Sequence, residues 1–287
     1  MEFLTEPVPP RGVAVAMLPG IRRLTAANPG PMTCHGTNTY LIDGPDGPDG
    51  PDGLTVLDPG PDDAAHIRAI LDQAGGPVAR ILLSHTHADH LGGLAALRAA
   101  TGAPALGFGP PSLTGGFTPD IALHDGDAVA GLTALHTPGH AADHLCFAGP
   151  GGVLFSADHV MGWSSSVVIP PDGDMAAYFA SLARLLARHD RILLPGHGPP
   201  VRNPAPFIGG LLAHRRQREA AIAAALRAGP QSTDGLTAAL YPALAPALRR
   251  AAEGNVLAHL HKLRDEGQVR PEGAAWHAVA IGPSTPG

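Results

Sequence analysis

The segment SHTHADHLGG, Ser84 to Gly93, places His85, His87, Asp89 and His90 directly behind the apolar run VARILL. A buried strand has no use for imidazoles, so this run must deliver them to a point where other polar side chains converge. In an extended segment His85 and His87 share one side, and the turn that opens the next helix carries Asp89 and His90 round to a second point. Two adjacent metal positions follow from that spacing. His140 in HTPGHAADH completes the first and His197 in PGHG the second, while Asp158 in FSADH is placed to bridge. One carboxylate can give an oxygen to each of two ions and so reduce their mutual repulsion. A lone His140 or His197 would read as an ordinary hydrogen-bonded histidine; seven candidates at glycine-bounded strand ends and turns read as a metal site. A structural zinc site is usually closed by four ligands, often cysteines, and this set is larger. Cys34 and Cys146 are the only cysteines and provide no disulfide framework.

Strands and helices alternate around these residues. NTYLI (38–42) and LTVLD (54–58) read as hairpin strands on either side of GPDGPDGPDG (44–53). The aspartates of that repeat lack the ligand spacing of an EF-hand, so it reads as a flexible turn expansion. DDAAHIRAILDQAG (62–75) predicts a helix, VARILLSH (78–85) a buried strand and LGGLAALRAATG (91–102) another helix. LTALHTPG (132–139), HLCFAG (144–149), GGVLFSADH (151–159) and DRILLPGHG (190–198) read as strands, with the amphipathic helix MAAYFASLARLLAR (175–188) before the last. Loops at sheet edges are where such a scaffold holds a polar site.

Charge is unevenly spread over the 287 residues: 10 basic and 19 acidic up to Pro206, then 9 basic and 6 acidic. The Pro/Gly-rich stretch GHGPPVRNPAPF (196–207) marks a boundary near 205, giving a catalytic domain over 1–205 and a smaller one over 206–287. In the tail, AHRRQREAAIAAAL (213–226), TDGLTAALYP (233–242, capped by Thr233 or Asp234) and GNVLAHLHKLRDEGQVR (254–270) predict three helices. Val256, Leu257, Leu260 and Leu263 form the apolar stripe of the third, and a strand over 276–281 completes a winged helix. Arg249, Arg250, Lys262, Arg264 and Arg270 are in reach of phosphates, but Glu253, Asp265 and Glu266 interrupt them and no aromatic platform is interleaved. Packing against the catalytic body, or a homodimer face, is the competing expectation for this unit. The net charge of −6 does not suggest a general nucleic-acid binder. With neither a leader pattern nor a long apolar run, the chain is expected to be cytoplasmic, with no membrane partner.

The order GTNTYLI, LDPG, SHTHADHLGG, HTPGH, FSADH, PGHG resembles the metallo-beta-lactamase fold superfamily over Gly36 to Pro200. That resemblance implies an α/β fold, an αββα sandwich of two mixed sheets. It assigns His85, His87 and His140 to a first metal, Asp89, His90 and His197 to a second, and Asp158 to both. It implies two Zn2+, with Mn2+ or Fe2+ as alternatives, and Asp89 and Asp158 as catalytic residues. Asp58 resembles the family's buried aspartate that orients the histidine-bearing loop; a simple turn cap is its other reading. His144 and His159 divide between pocket lining and ordinary hydrogen bonding, while His35, His66, His124, His136, His189, His214, His259, His261 and His277 are expected to be structural or exposed.

The activity implied is hydrolysis by a dizinc-bound hydroxide. His87 stands where the di-iron redox members carry glutamate, and a mononuclear iron dioxygenase is a further alternative. With its winged helix the chain also resembles, from Gly36 to Val269, the lactamase-beta-like group whose animal member is a single-strand-selective endoribonuclease; HTPGHAADH and HGPPV carry that likeness. Endonucleolytic cleavage of single-stranded RNA is therefore the leading expectation. The alternative is hydrolysis of a small ester, thioester, lactone or beta-lactam, with the loop GWSSSVVIPPDG (162–173) framing the substrate. A long basic channel would favour RNA; a closed pocket lined by Trp163, Val167, Val168 and Ile169 would favour a small molecule.

Overall fold

A computed structural model describes residues 2–44, 47, 53–109 and 117–279. Most of the 44–53 repeat, and the end of the strand expected over 276–281, lie outside the described residues.

Two sheets carry the body. The first holds β1 (Val15–Leu18), β2 (Ile21–Thr25), β3 (Asn38–Ile42), β4 (Leu54–Leu57), β5 (Val78–Leu82), β6 (Ala105–Phe108) and β7 (Ile121–Leu123), in that order. β1 to β4 pair antiparallel, and β4 to β7 parallel. The second holds β8 (Ala128–Val129), β9 (Leu132–His136), β10 (Leu145–Gly149), β11 (Val153–Ala157) and β12 (Ile192–Pro195), antiparallel except for the β11–β12 pair. Both sheets are thus mixed, as the sandwich requires.

Side-chain alternation explains the layers. Tyr40, Ile42, Leu57 and Leu82 point between the sheets to meet Leu145, Phe147, Val153, Phe155 and Leu194. Their neighbours Leu41, Val56, Ile81 and Leu83 face outward onto α1 (Ala64–Gln73), with α2 (Ala88–Leu91) and α3 (Leu94–Thr101) following β5. Leu154 and Leu193 face the other way, onto α4 (Met175–Leu186) and the first half of α5 (Pro204–Ala228). Strands buried on both faces read as nearly continuous apolar runs, which is what these segments are.

The structure revises several expected boundaries. The helix expected over 91–102 is divided, because Gly92 and Gly93 pass against the 59–62 segment. A Cβ on Gly92 would stand 2.6 Å from Asp62 N, and one on Gly93 2.8 Å from Pro59 O. The tail helix expected over 213–226 starts at Pro204, a residue whose fixed φ suits a first helical position. Phe207, Ile208, Leu211 and Leu212 on it pack against the body, whereas Ile222 and Leu226 enter a separate core with Leu236, Val256, Leu260, Leu263, Val269 and Trp276. That second core gathers α6 (Thr233–Leu240), α7 (Arg249–Asp265) and the hairpin of β13 (Val269–Glu272) and β14 (Ala275–Ala278). The cap of α6 is neither Thr233 nor Asp234 but Ser232, whose Oγ accepts from Gly235 N at 3.0 Å; Thr233 Oγ1 instead faces Trp276 Nε1 at 3.2 Å.

α7 lies against the body: its Ala258 joins the cluster around α4, and a Cβ on Gly254 would come within 2.6 Å of Ile169 Cγ1. Among the described residues no helix is long and apolar enough to cross a membrane.

Candidate metal centre

Topology brings five strand ends to one edge. β4 and β5 are parallel, so Asp58 and the His85–His90 run emerge together. β9 and β11 are each antiparallel to β10, and β12 is parallel to β11, so the segments bearing His140, Asp158 and His197 also emerge together. The two sheets are stitched there by Leu145 N to Ser84 O (2.7 Å), Asn38 N to Gly196 O (2.7 Å) and Tyr40 Oη to Pro195 O (2.8 Å).

All seven predicted residues meet at this edge. His87 Nδ1 lies 3.0 Å from both His85 Nε2 and His140 Nε2. A tetrahedral ion about 2.0–2.1 Å from each nitrogen would hold them roughly 3.3 Å apart, so the three fit one ion closely. On the other side His90 Nε2 and His197 Nε2 are 3.4 Å apart, with Asp89 Oδ2 3.5 and 3.2 Å from them respectively. Asp158 stands between: its Oδ2 is 3.6 Å from His140 Nε2 and 3.3 Å from His197 Nε2, and its Oδ1 is 3.4 Å from His90 Nε2. That Oδ1 is buried without a hydrogen-bond donor, as expected of an oxygen shaped for a cation. Three groups result that could each hold an ion: His85, His87, His140; Asp89, His90, His197; and His85, His90, Asp158 joining them.

Outer hydrogen bonds aim the rings inward. His90 Nδ1 donates to Asp58 Oδ2 at 2.9 Å, His140 Nδ1 to Val167 O at 2.6 Å and His197 Nδ1 to Gly36 O at 3.2 Å. Ser84 Oγ gives its proton to Asp58 Oδ2 at 2.7 Å, so it accepts from His85 Nδ1 at 2.9 Å. His87 turns Nε2 outward, 3.3 Å from Asp172 Oδ2. With the outer nitrogens engaged in this way, the inner nitrogens are the ones left to meet an ion in the cluster. Thr37 Oγ1 donates to Asp89 Oδ2 at 3.1 Å and holds that carboxylate in place.

The two halves differ electrostatically. Burial pushes His140 down to about 4 and His85 well below the usual histidine range. Burial also opposes protonation of His197 and His90, but the facing carboxylates outweigh it, leaving His197 up at about 9 and His90 raised as well. Burial would raise Asp89 and Asp158; His90 and His197 hold both below the usual carboxylate range instead. Packing is equally restrictive. A Cβ on Gly196 would lie 2.4 Å from Asp158 Oδ1 and 2.7 Å from His90 Cε1.

Beside His140 and Asp158 opens a cavity of about 170 Å³. Met161, Trp163 and Val167 line one side, and Tyr241, Leu244 and Leu248 of the C-terminal unit line the other. Two expected lining residues are elsewhere: Val168 is fully buried, and Ile169 leans on Gly254 of α7. His144 and His159 are also fully buried and do not line it; His144 Nδ1 pairs with Thr137 Oγ1 at 2.9 Å behind the metal cluster. Sequence reasoning missed His214, Arg215 and Asn255, all of which reach the cavity. No motif marks them, since the docking of the tail brings them there.

Four of the five tail cations in reach of phosphates are paired: Lys262 with Glu219 and Glu266 at 2.7 Å each, Arg264 with Asp265 at 2.8 Å, Arg270 with Glu272 at 2.8 Å, and Arg249 with Asp234 and Glu253.

Two mixed sheets between helices, with clustered histidines and aspartates at one edge, define an αββα metal-binding hydrolase. The chain belongs to the metallo-beta-lactamase superfamily. Residues 32–110 match the metallo-beta-lactamase superfamily model, and residues 232–276 the beta-lactamase associated winged helix domain. The chain is 31% identical to a beta-lactamase-like protein 2 homolog of Drosophila melanogaster, over 89% of this chain and 94% of that one. It is 30% identical to an atrochrysone carboxyl ACP thioesterase of Passalora fulva, over 88% of this chain and 78% of that one. The crystal structure of a metallo-beta-lactamase family protein from Thermus thermophilus superposes with a TM-score of 0.76 at 26% identity, covering 92% of this chain and 100% of that one.

Proposed function

We propose that the chain hydrolyses small acyl thioesters with two divalent ions, Zn2+ being the expected metal. His85, His87 and His140 would hold one ion, Asp89, His90 and His197 the other, and Asp158 would serve both. Such ions, when bound, polarise a carbonyl and acidify water. In this reading residues 1–205 form the catalytic body and residues 206–287 close the substrate cavity.

The observation that carries the reading is the cavity beside His140 and Asp158. Its volume of about 170 Å³ and its apolar wall suit a short acyl chain or one aromatic ring; an apolar cavity of roughly 150 Å³ accepts benzene. A strand of RNA asks for a cationic track along its backbone, whereas Arg249, Lys262, Arg264 and Arg270 of the tail are each paired with neighbouring carboxylates. Chemistry favours a thioester over an oxygen or nitrogen leaving group. A thiolate, with a conjugate acid near pKa ~8.5, departs without a positioned proton donor. Water adds its oxygen to the acyl carbon, the carbon–sulfur bond breaks, and the products are a carboxylic acid and a free thiol. The thioesterase name of the Passalora fulva relative supports the same choice.

The test is a series of thioesters from acetyl to palmitoyl, run beside an unstructured RNA oligonucleotide with wild type and His87→Ala. Turnover should be highest for short acyl groups, fall as the chain lengthens, and vanish in His87→Ala, with the RNA intact. RNA cut by wild type while every thioester survives would overturn the reading.

A further inference from the structure

The loop after Asp158 runs between the histidine cluster and the C-terminal unit, and three consecutive residues of it, Ser166 to Val168, together bridge the two. The carbonyl of Val167 accepts from His140 Nδ1 at 2.6 Å. The tail holds the N–H of that same peptide and the carbonyl of the peptide before it. Arg215 Nη2, from α5, donates to Ser166 O. Asn255 Oδ1, from α7, accepts from Val168 N at 3.0 Å and from Arg215 Nη1 at 3.2 Å. On the body side Ser166 Oγ reaches Asp158 O at 2.5 Å and His159 O at 2.9 Å. The flanks of the strap and its anchor are buried: Ser166 and Val168 have no exposed surface and Arg215 is 2% exposed, while half-buried Val167 lines the cavity.

Arg215 needs explaining. A buried guanidinium is costly unless paired, and among the described residues no carboxylate forms an ion pair with it. Its terminal nitrogens are used on a carbonyl and a carboxamide, and its cation faces the Tyr178 ring at 5.3 Å. Both of those bonds bear on the strap that carries Val167.

We propose that Arg215 and Asn255 are positioning residues for the metal centre. They lock the Val167 carbonyl, and that carbonyl fixes the tautomer and direction of the His140 ring, so Nε2 faces the cluster. The C-terminal unit is then part of the metal site through a three-residue strap, as well as a wall of the cavity. This rests on the reading of His140 as a ligand.

The experiment titrates metal-free protein with Zn2+ against a chromophoric chelator, comparing wild type, Asn255→Leu and Asn255→Asp. Asn255→Leu keeps the side-chain size and loses the acceptor; Asn255→Asp keeps it. Asn255→Leu should bind one of its two ions ~10-fold more weakly and leave the other within about two-fold, while Asn255→Asp should restore wild-type binding. Affinities for both ions unchanged from wild type in a folded Asn255→Leu would overturn the proposal. Wild type that binds no Zn2+ would overturn the underlying metal reading instead. Should Asn255→Leu fail to fold, imidazole 15N spectra of the metal-free wild type decide the matter. A slowly exchanging Nδ1–H assigned to His140, shifted in Arg215→Lys, supports the strap; a His140 ring protonated on Nε2, or a signal unmoved by Arg215→Lys, overturns it.

Discussion

Asp58 and His90 form a buried pair, with Oδ2 of the carboxylate 2.9 Å from Nδ1 of the imidazole. The same carboxylate accepts from Ser84 N and Ser84 Oγ at 2.7 Å each, and Ser84 Oγ in turn meets His85 Nδ1. One side chain therefore steers a histidine in each half of the cluster. Asp58→Ala should weaken the binding of both ions by ~10–100-fold. It should also cost about 1–3 kcal/mol of stability, because Ser84 N is left buried without an acceptor. Elemental analysis after dialysis against chelator checks the first effect and urea unfolding the second; two ions retained as in wild type would contradict it.

Gly196 offers a steric test that removes no candidate ligand. A methyl group there would stand 2.4 Å from Asp158 Oδ1 and 2.7 Å from His90 Cε1. Gly196→Ala should leave the sheets formed and abolish tight metal binding, seen as unchanged far-UV circular dichroism with less than one bound ion per chain. Full metal content would mean that Asp158 and His90 need not hold their observed positions.

How much of this was legible in the sequence depended on whether a residue carried its own local signal. The seven clustered residues did, each sitting at a glycine-bounded strand end or turn with an apolar run before it. The strands β1 and β2 did not. Arg22 and Arg23 give β2 a polar character, yet Arg23 is 5% exposed and paired with Glu6 at 2.9 Å, a compensation distant in sequence. β7 and β8, three and two residues long, are too short for alternation to show. The first half of α5 contains Pro204, Pro206, Gly209 and Gly210, which argue locally against a helix; burial of Phe207, Ile208 and Leu211 prevails. The cavity wall was illegible for a different reason: Tyr241, Leu244, Leu248 and Asn255 reach it only because α5 carries the C-terminal unit back onto the body.

Ala252 of α7 borders the cavity and is 7% exposed. Enlarging it should therefore act on substrate size. Ala252→Leu should raise KM for the longest accepted acyl thioester by ~10-fold or more, since steric conflict of 1–3 kcal/mol is typical of overpacking. Acetyl thioester should be nearly unaffected. Equal effects across the series would place the acyl group elsewhere.

His66 supplies a pH test away from the metal residues. Burial pushes its pKa down to about 4, and its Nε2 donates to Thr39 Oγ1 at 2.8 Å. A folded value below the unfolded ~6.5 means that the unfolded chain binds the extra proton, so this contribution is full above ~6.5 and is lost as pH falls towards 4. The loss amounts to about 3 kcal/mol. Metal-free His66→Gln should accordingly show a shallower fall in Tm than wild type between those limits. Parallel curves would contradict the assignment.

The most direct test of the whole account is turnover of a short acyl thioester by metal-free protein as Zn2+ is added back. With His85, His87 and His140 on one side, Asp89, His90 and His197 on the other and Asp158 between them, activity should be absent at the start and level off at two equivalents per chain. Turnover that is already complete without metal, or that never rises as the ion is added, would contradict it.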